Sequence, residues 1–353
     1  MNVTSTSSAI RDDKRHFSGP TAIAFDLKNG RVYVINSGSK TVSVISSSTN
    51  NIIKNIPLPK TSNPTDITFD SFNGKLYVVD SAADNILVIS GHDNKIIATI
   101  HIPAGKDALG FSYQYQPSHL AADSKNGNVF VVAFRGGMGT YDWDTSLFVI
   151  NGKSNQIMGT IDLGIYIMPG ALITYDSVNN YLYISNRSWY VPQAIIYIVN
   201  ASNNKIVTYL YDDGSLPQTN YGWTTPVSVD VNPRNGNIYV LNSVIVNSPY
   251  SCTLWVFDGT TNKLVAREAV GSFVKPIAGT FDLRNQNLYI IDNQNVTVIS
   301  SSNYEIEKEI KISPGLSNLV VDPENGNVYV TNSALNTVSV INGYTNEFVK
   351  TIQ

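Results

Sequence analysis

Short runs of alternating apolar and polar residues recur along the whole chain, each bounded by Asp, Asn, Gly or Ser. The first group reads TAIAFD (21–26), RVYVIN (31–36), TVSVIS (41–46) and NIIKNI (51–56). A period of two over such runs predicts half-buried β-strands, and no helical period of useful length occurs anywhere. The link Asp26-Leu27-Lys28-Asn29-Gly30 predicts a tight hairpin, because Asn-Gly accepts positive φ and the Asp side chain can cap the turn's own amides. The same Asn-Gly pair recurs at Asn73-Gly74, Asn126-Gly127, Asn235-Gly236 and Asn325-Gly326.

The group is one copy of a repeat. Seven copies align on Tyr33, Tyr77, Phe130, Tyr183, Tyr239, Tyr289 and Tyr329, spaced 40 to 56 residues apart. Seven residues before each aromatic stands Asp26, Asp70, Asp123, Asp176, Asn232, Asp282 or Asp322. Three after it stands Asn36, Asp80, Ala133, Asn186, Asn242, Asp292 or Asn332. That period fits a blade of four strands. One such sheet cannot bury both of its faces, whereas seven stacked radially can, with the aromatic ring filling the contacts. The expected fold is therefore all-β, a seven-bladed β-propeller of four-stranded antiparallel blades. Its single domain covers 20–353, with blades near 20–59, 60–103, 117–164, 169–211, 226–271, 276–313 and 314–353. Residues 1–19 form a lead. Residues 2–10 either add an outer strand to blade 7 or remain apart from it, and the added strand is the favoured expectation.

Tyr329-Val330-Thr331-Asn332 is the tetrapeptide that names the YVTN β-propeller repeats, and Thr337 to Gly343 is similar to that family's third strand. The chain resembles these propellers over residues 20–353. Ala133, Asn179-Asn180 and Asn285-Gln286 depart from the pattern and weaken individual turns. The resemblance implies a secreted, periplasmic or surface-layer protein.

Charged residues make up 14% of the chain, below the roughly 25% common in soluble proteins. A net charge of −3 leaves no electrostatic footprint for nucleic acid or an anionic membrane. Cys252 is the single cysteine, which excludes an intrachain disulfide and a Cys-based metal site. No apolar stretch reaches the ~18–20 residues of a membrane span, and the polar start Met1-Asn2-Val3-Thr4-Ser5 does not resemble a signal peptide.

Strand alternation sorts the links by face. First-to-second and third-to-fourth links fall on one rim and are uniformly short. The other rim receives every insertion: 104–116, 134–145, 187–193, 212–225 and 243–252. These carry Phe111, Tyr113, Tyr115, Tyr141, Trp143, Trp189, Tyr190, Tyr221, Trp223 and Tyr250. Trp and Tyr offer rigid area with a polar tip, suited to a protein or glycan partner. The same aromatics could equally pack on one another to hold long links together.

Signals for catalysis are sparse. His16, His92, His101 and His119 fall on separate parts of the strand map, so no His-based metal or relay site is expected. No nucleophile elbow, phosphate loop or His-Glu-x-x-His occurs. Asp142-Trp143-Asp144 and Asp80 with Asp84 lack the ligand count of a Ca²⁺ site and read as solvated loop acids. No cofactor is implied. Asp66, His119 and Asp230 are the ionisable candidates at the axial channel, where a lactonase-like or lyase-like propeller would place its site. A structural spacer of a surface layer is the third reading. Sequons at Asn2, Asn186, Asn200 and Asn295 permit glycosylation.

Overall fold

The computed structural model describes residues 16–106, 112–135, 144–165, 170–186, 195–211, 224–244, 252–270 and 275–353. These form seven four-stranded antiparallel sheets, each in sequential strand order. Blade 1 comprises Pro20–Asp26, Arg31–Asn36, Thr41–Ser46 and Asn51–Pro57. The first strands of blades 2 to 7 are Pro64–Asp70, Tyr115–Ala122, Ile173–Asp176, Thr224–Val231, Ala278–Phe281 and Leu316–Val321. Each first strand adjoins the first strands of both neighbouring blades, including blade 7 against blade 1, so together they line the axis of a closed ring. A two-stranded hairpin, Gly105–Lys106 with Ser112–Tyr113, is added between blades 2 and 3. No helix among the described residues is long and apolar enough to cross a membrane.

The core lies between blades rather than within them. Seven apolar clusters each join the facing sides of two neighbouring blades. The seven second-strand aromatics sit at these junctions with 0–2% of their surface exposed. The expectation of half-buried strands holds for the outer strands, such as Lys205–Leu210, whose exposed and covered positions alternate. It does not hold for the second and third strands. Val32 to Asn36 are all buried, because a central strand is covered on both faces by adjacent blades.

The first-to-second turns follow the predicted chemistry in every blade. Asp26 Oδ1 accepts the amides of Lys28 (2.9 Å) and Asn29 (3.1 Å). Asp70, Asp123, Asp176, Asn232, Asp282 and Asp322 accept the equivalent amide at 2.7 to 2.9 Å. Gly30, Gly74, Gly127, Gly236 and Gly326 all have positive φ. Where the pattern departs, Asn180 (φ 59°) and Gln286 (φ 64°) adopt the same left-handed conformation.

A second recurring device ties blades together at four of the seven junctions. The third-to-fourth turn places Asn50, Asn94, Asn155, Asn204, Asn262, Tyr304 and Asn346 at positive φ. The second-strand tyrosine of the preceding blade donates its hydroxyl to this Asn: Tyr33 to Asn94 (2.8 Å), Tyr289 to Asn346 (2.6 Å) and Tyr329 to Asn50 (2.6 Å). At the blade 2–3 junction Lys75 Nζ takes over, donating to Asn155 Oδ1 (3.0 Å). Burial pushes the hydroxyls of Tyr77 and Tyr329 up to about 12, which keeps both as donors.

Blade 7 is built from the four strands of its own repeat. The ring closes through side chains: Phe17 and Ile23 pack with Tyr329, Val338 and Ile352. Gly19 N donates to Asn336 Oδ1 (2.7 Å) and Ser317 Oγ to the Pro20 carbonyl (2.8 Å). Residues 2–10, on which the added strand was expected, lie outside the described residues.

Candidate functional site

The first strands enclose an axial cavity of about 680 Å³. Asp66, His119 and Asp230 all line it, so the structure brings the three sequence candidates to one space. Lys275 also lines it; it precedes the first strand of blade 6, outside any repeated position, and strand patterning gave no reason to single it out. His119 additionally borders a smaller pocket of about 320 Å³ with Ser81, Gln116 and Phe134. Its Nδ1 is buried without a hydrogen-bond partner. The other histidines lie apart, with His101 Nδ1 within 3.0 Å of Asn85 Oδ1 on the outer edge of blade 2.

A bulge aims the inner-wall side chains. Register shifts fall between Pro64 and Asp66, Pro117 and His119, Pro226 and Ser228, and Leu316 and Asn318. An extra residue of this kind re-aims the side chains beyond it. The two carboxylates then make the same clamp. Asp66 accepts the amide of its own neighbour Ile67 (2.9 Å) and of Leu120 in the next blade (3.1 Å). Asp230 accepts from Val231 (2.8 Å) and from Phe281 in the next blade (2.7 Å). Burial pushes the Asp66 carboxyl up, against the lowering influence of His119 and the two amides. Burial likewise pushes Asp230 up to about 6, again opposed by its amide donors.

On the long-link rim, Tyr113 and Tyr115 are described, and both are engaged within the protein. Tyr115 is buried; its ring meets Phe148 and Tyr113 edge-on at 5.1 Å each. Ser146 Oγ donates to its hydroxyl (3.0 Å). Arg135 lies over the Tyr113 ring, 4.2 Å from its centroid. Gly105 lets that ring rest on the hairpin backbone, since a Cβ there would come within 2.5 Å of it. Phe111, Tyr141, Trp143, Trp189, Tyr190, Tyr221, Trp223 and Tyr250 lie outside the described residues. Cys252 is buried, and burial raises its thiol above the ordinary range. No group of three or more metal-ligating side chains occurs among the described residues.

These features define a seven-bladed β-propeller. Among solved structures the chain is similar to hydrazine synthase of Kuenenia stuttgartiensis, with a TM-score of 0.73, 13% identity, and coverage of 96% of this chain and 99% of that one. At this identity the likeness shows the fold alone. No family model matches the chain, and no curated protein matches it.

Proposed function

We propose that this protein is a recognition propeller that binds a protein or glycan partner at a cell surface through its long-link rim, without chemistry of its own. The observation that carries this reading is the asymmetry of the two rims. On one face the links are short turns held by Asp and Asn caps. On the other, consecutive blades carry links of up to 14 residues (212–225) that include three of the four tryptophans. A rigid scaffold displaying long aromatic links is a common arrangement for binding. The resemblance of Tyr329-Val330-Thr331-Asn332 to YVTN repeats supports a surface or secreted location. The amide clamps on Asp66 and Asp230 suit a fixed channel wall better than an acid–base pair that must shed and regain protons.

Alanine at Trp143, Trp189 and Trp223 together tests the reading by glycan-array and cell-wall pull-down binding with parallel melting curves. Binding is expected to vanish while the melting temperature stays within ~2 °C, because surface changes away from packing cost little. A fall of many degrees would reassign these side chains to packing and remove the proposed surface.

A further inference from the structure

The inner wall carries an acid at two places where the repeat itself shows that the fold needs none. Asp230 stands where other blades have Ala24, Thr68 or Val320, and Asp66 where they have Ala22, Leu172 or Ala278. Neither carboxylate is paired with a Lys or Arg among the described residues. Their amide clamps do not require a charge: Asn318, on the same wall, accepts the equivalent local bond from Leu319 N (2.8 Å). A half-buried carboxylate with only neutral donors, as Asp230 is, is held at a cost in stability, and such groups in a cavity mark functional sites, while at Asp66 the His119 ring offsets part of that cost.

The remaining polar wall has the same bias. Thr174 Oγ1 donates to the Val229 carbonyl (2.5 Å), Ser228 Oγ to Gly279 (3.2 Å) and Ser317 Oγ to Pro20 (2.8 Å). A hydroxyl whose proton is committed in this way offers only lone pairs to a ligand. Against these, Lys275 is the one ammonium lining the cavity among the described residues, and it is exposed. The wall is therefore rich in acceptors and negative charge, in a volume suited to a small molecule.

We propose that the axial cavity binds a small organic cation with several N–H donors, such as an alkyl diamine or an amino-guanidine, through the carboxylates of Asp66 and Asp230. The two acids stand on blades 2 and 5, three steps apart round the ring, which favours a ligand cationic at both ends. This site is independent of the rim and its tryptophans.

Isothermal titration calorimetry with putrescine and agmatine tests it. 1,4-Butanediol serves as the uncharged counterpart, calcium chloride as the inorganic cation, and sodium chloride matches ionic strength. The variants are Asp230→Thr and Asp66→Ala, which install residues that other blades already carry. Asp230→Asn and Asp66→Asn are run beside them, so that a variant that does not fold cannot decide the matter. Saturable one-to-one binding of an amine, weakened at least about tenfold by each folded variant, is expected. The proposal is overturned by absence of saturable binding up to about 10 mM, by equal binding of 1,4-butanediol, by calcium displacing the amine at matched ionic strength, or by amine binding that the variants leave unchanged.

Discussion

Phe130 is the one second-strand aromatic without a hydroxyl, and its absence is felt in the next blade. Asn204, at the left-handed position of the blade 4 turn (φ 58°), has a buried Oδ1 with no hydrogen-bond partner. Its counterparts Asn50, Asn94 and Asn346 receive a tyrosine hydroxyl at 2.6 to 2.8 Å. Phe130→Tyr should supply the missing donor. The blade 7–1 junction shows that the space suffices, since Tyr329 reaches Asn50 past Ser47, a turn residue that has a β-carbon as Ala201 does. A net hydrogen bond contributes about 0.5–1.5 kcal/mol, and relieving an orphaned buried acceptor adds to it, so a gain of about 1 kcal/mol is expected. Over 353 residues that is a shift in melting temperature on the order of only 1–2 °C. Denaturant titration is the better assay, read as a double-mutant cycle with Asn204→Gly, which keeps the positive φ available. In the Asn204→Gly background the new hydroxyl has no side-chain acceptor and the gain should become a loss. Equal effects in both backgrounds, or a loss in the native one, would refute the assignment.

Two further outcomes follow from the packing and the charges. Gly152→Ala should cost more than 2 kcal/mol in chemical denaturation, because its Cβ would lie 2.1 Å from the Gly127 carbonyl and 2.8 Å from the Tyr77 hydroxyl; overpacking of this kind typically costs about 1–3 kcal/mol or more. Ser47→Gly, at the same turn position, should change stability by less than about 1 kcal/mol, and a reversed order of the two would sink this account of the turns. Asp230 should make stability depend on pH in the direction opposite to a salt-bridged acid. Its carboxyl ionises near 6 in the folded protein rather than at 3.8, so its contribution is fully present below about 4 and is lost as pH rises through 6. The loss amounts to roughly 3 kcal/mol at most. Asp230→Thr should flatten the unfolding free energy between pH 4 and 7, and an unchanged pH profile would show that the carboxylate is better solvated than its surroundings indicate.

How much of this was legible in the sequence depended on whether a partner lies within the same turn. Asp26, Asn29 and Gly30 act within five residues of one another, so their roles were readable from order alone. The aromatics Tyr33 to Tyr329 were readable as a buried ring because burial needs only periodicity. The tyrosine-to-asparagine bonds were not read, since they join residues 57, 61 or, across the ring closure, 279 positions apart in neighbouring blades. The signal was nonetheless present: aligned on the fourth strands, six of the seven turns carry Asn at the same position. The inner wall was legible only in part. Asp66, His119 and Asp230 stood out as ionisable residues in otherwise apolar or hydroxylated strands. The bulges that aim them into one cavity left no mark in a period-two pattern, and Lys275 lies in a link that no pattern constrains.

The junctions where the repeat breaks its own rule are clustered. Phe130 lacks the donor at blades 3–4, Tyr183 Oη and Asn262 Oδ1 are both buried and unbonded at blades 4–5, and Tyr304 stands in place of the Asn at blades 5–6. Blades 3, 4 and 5 among these carry long links, and two of the three junctions are also bridged on the axial wall. Thr174 crosses blades 4–5, while Ser228 and Asp230 cross blades 5–6. Axial bonds are not confined to these junctions, since Asp66 crosses blades 2–3 and Ser317 blades 7–1. Asp230 joins two blades and lines the cavity with the same carboxylate. A cation bound there would touch the group that bridges blades 5 and 6.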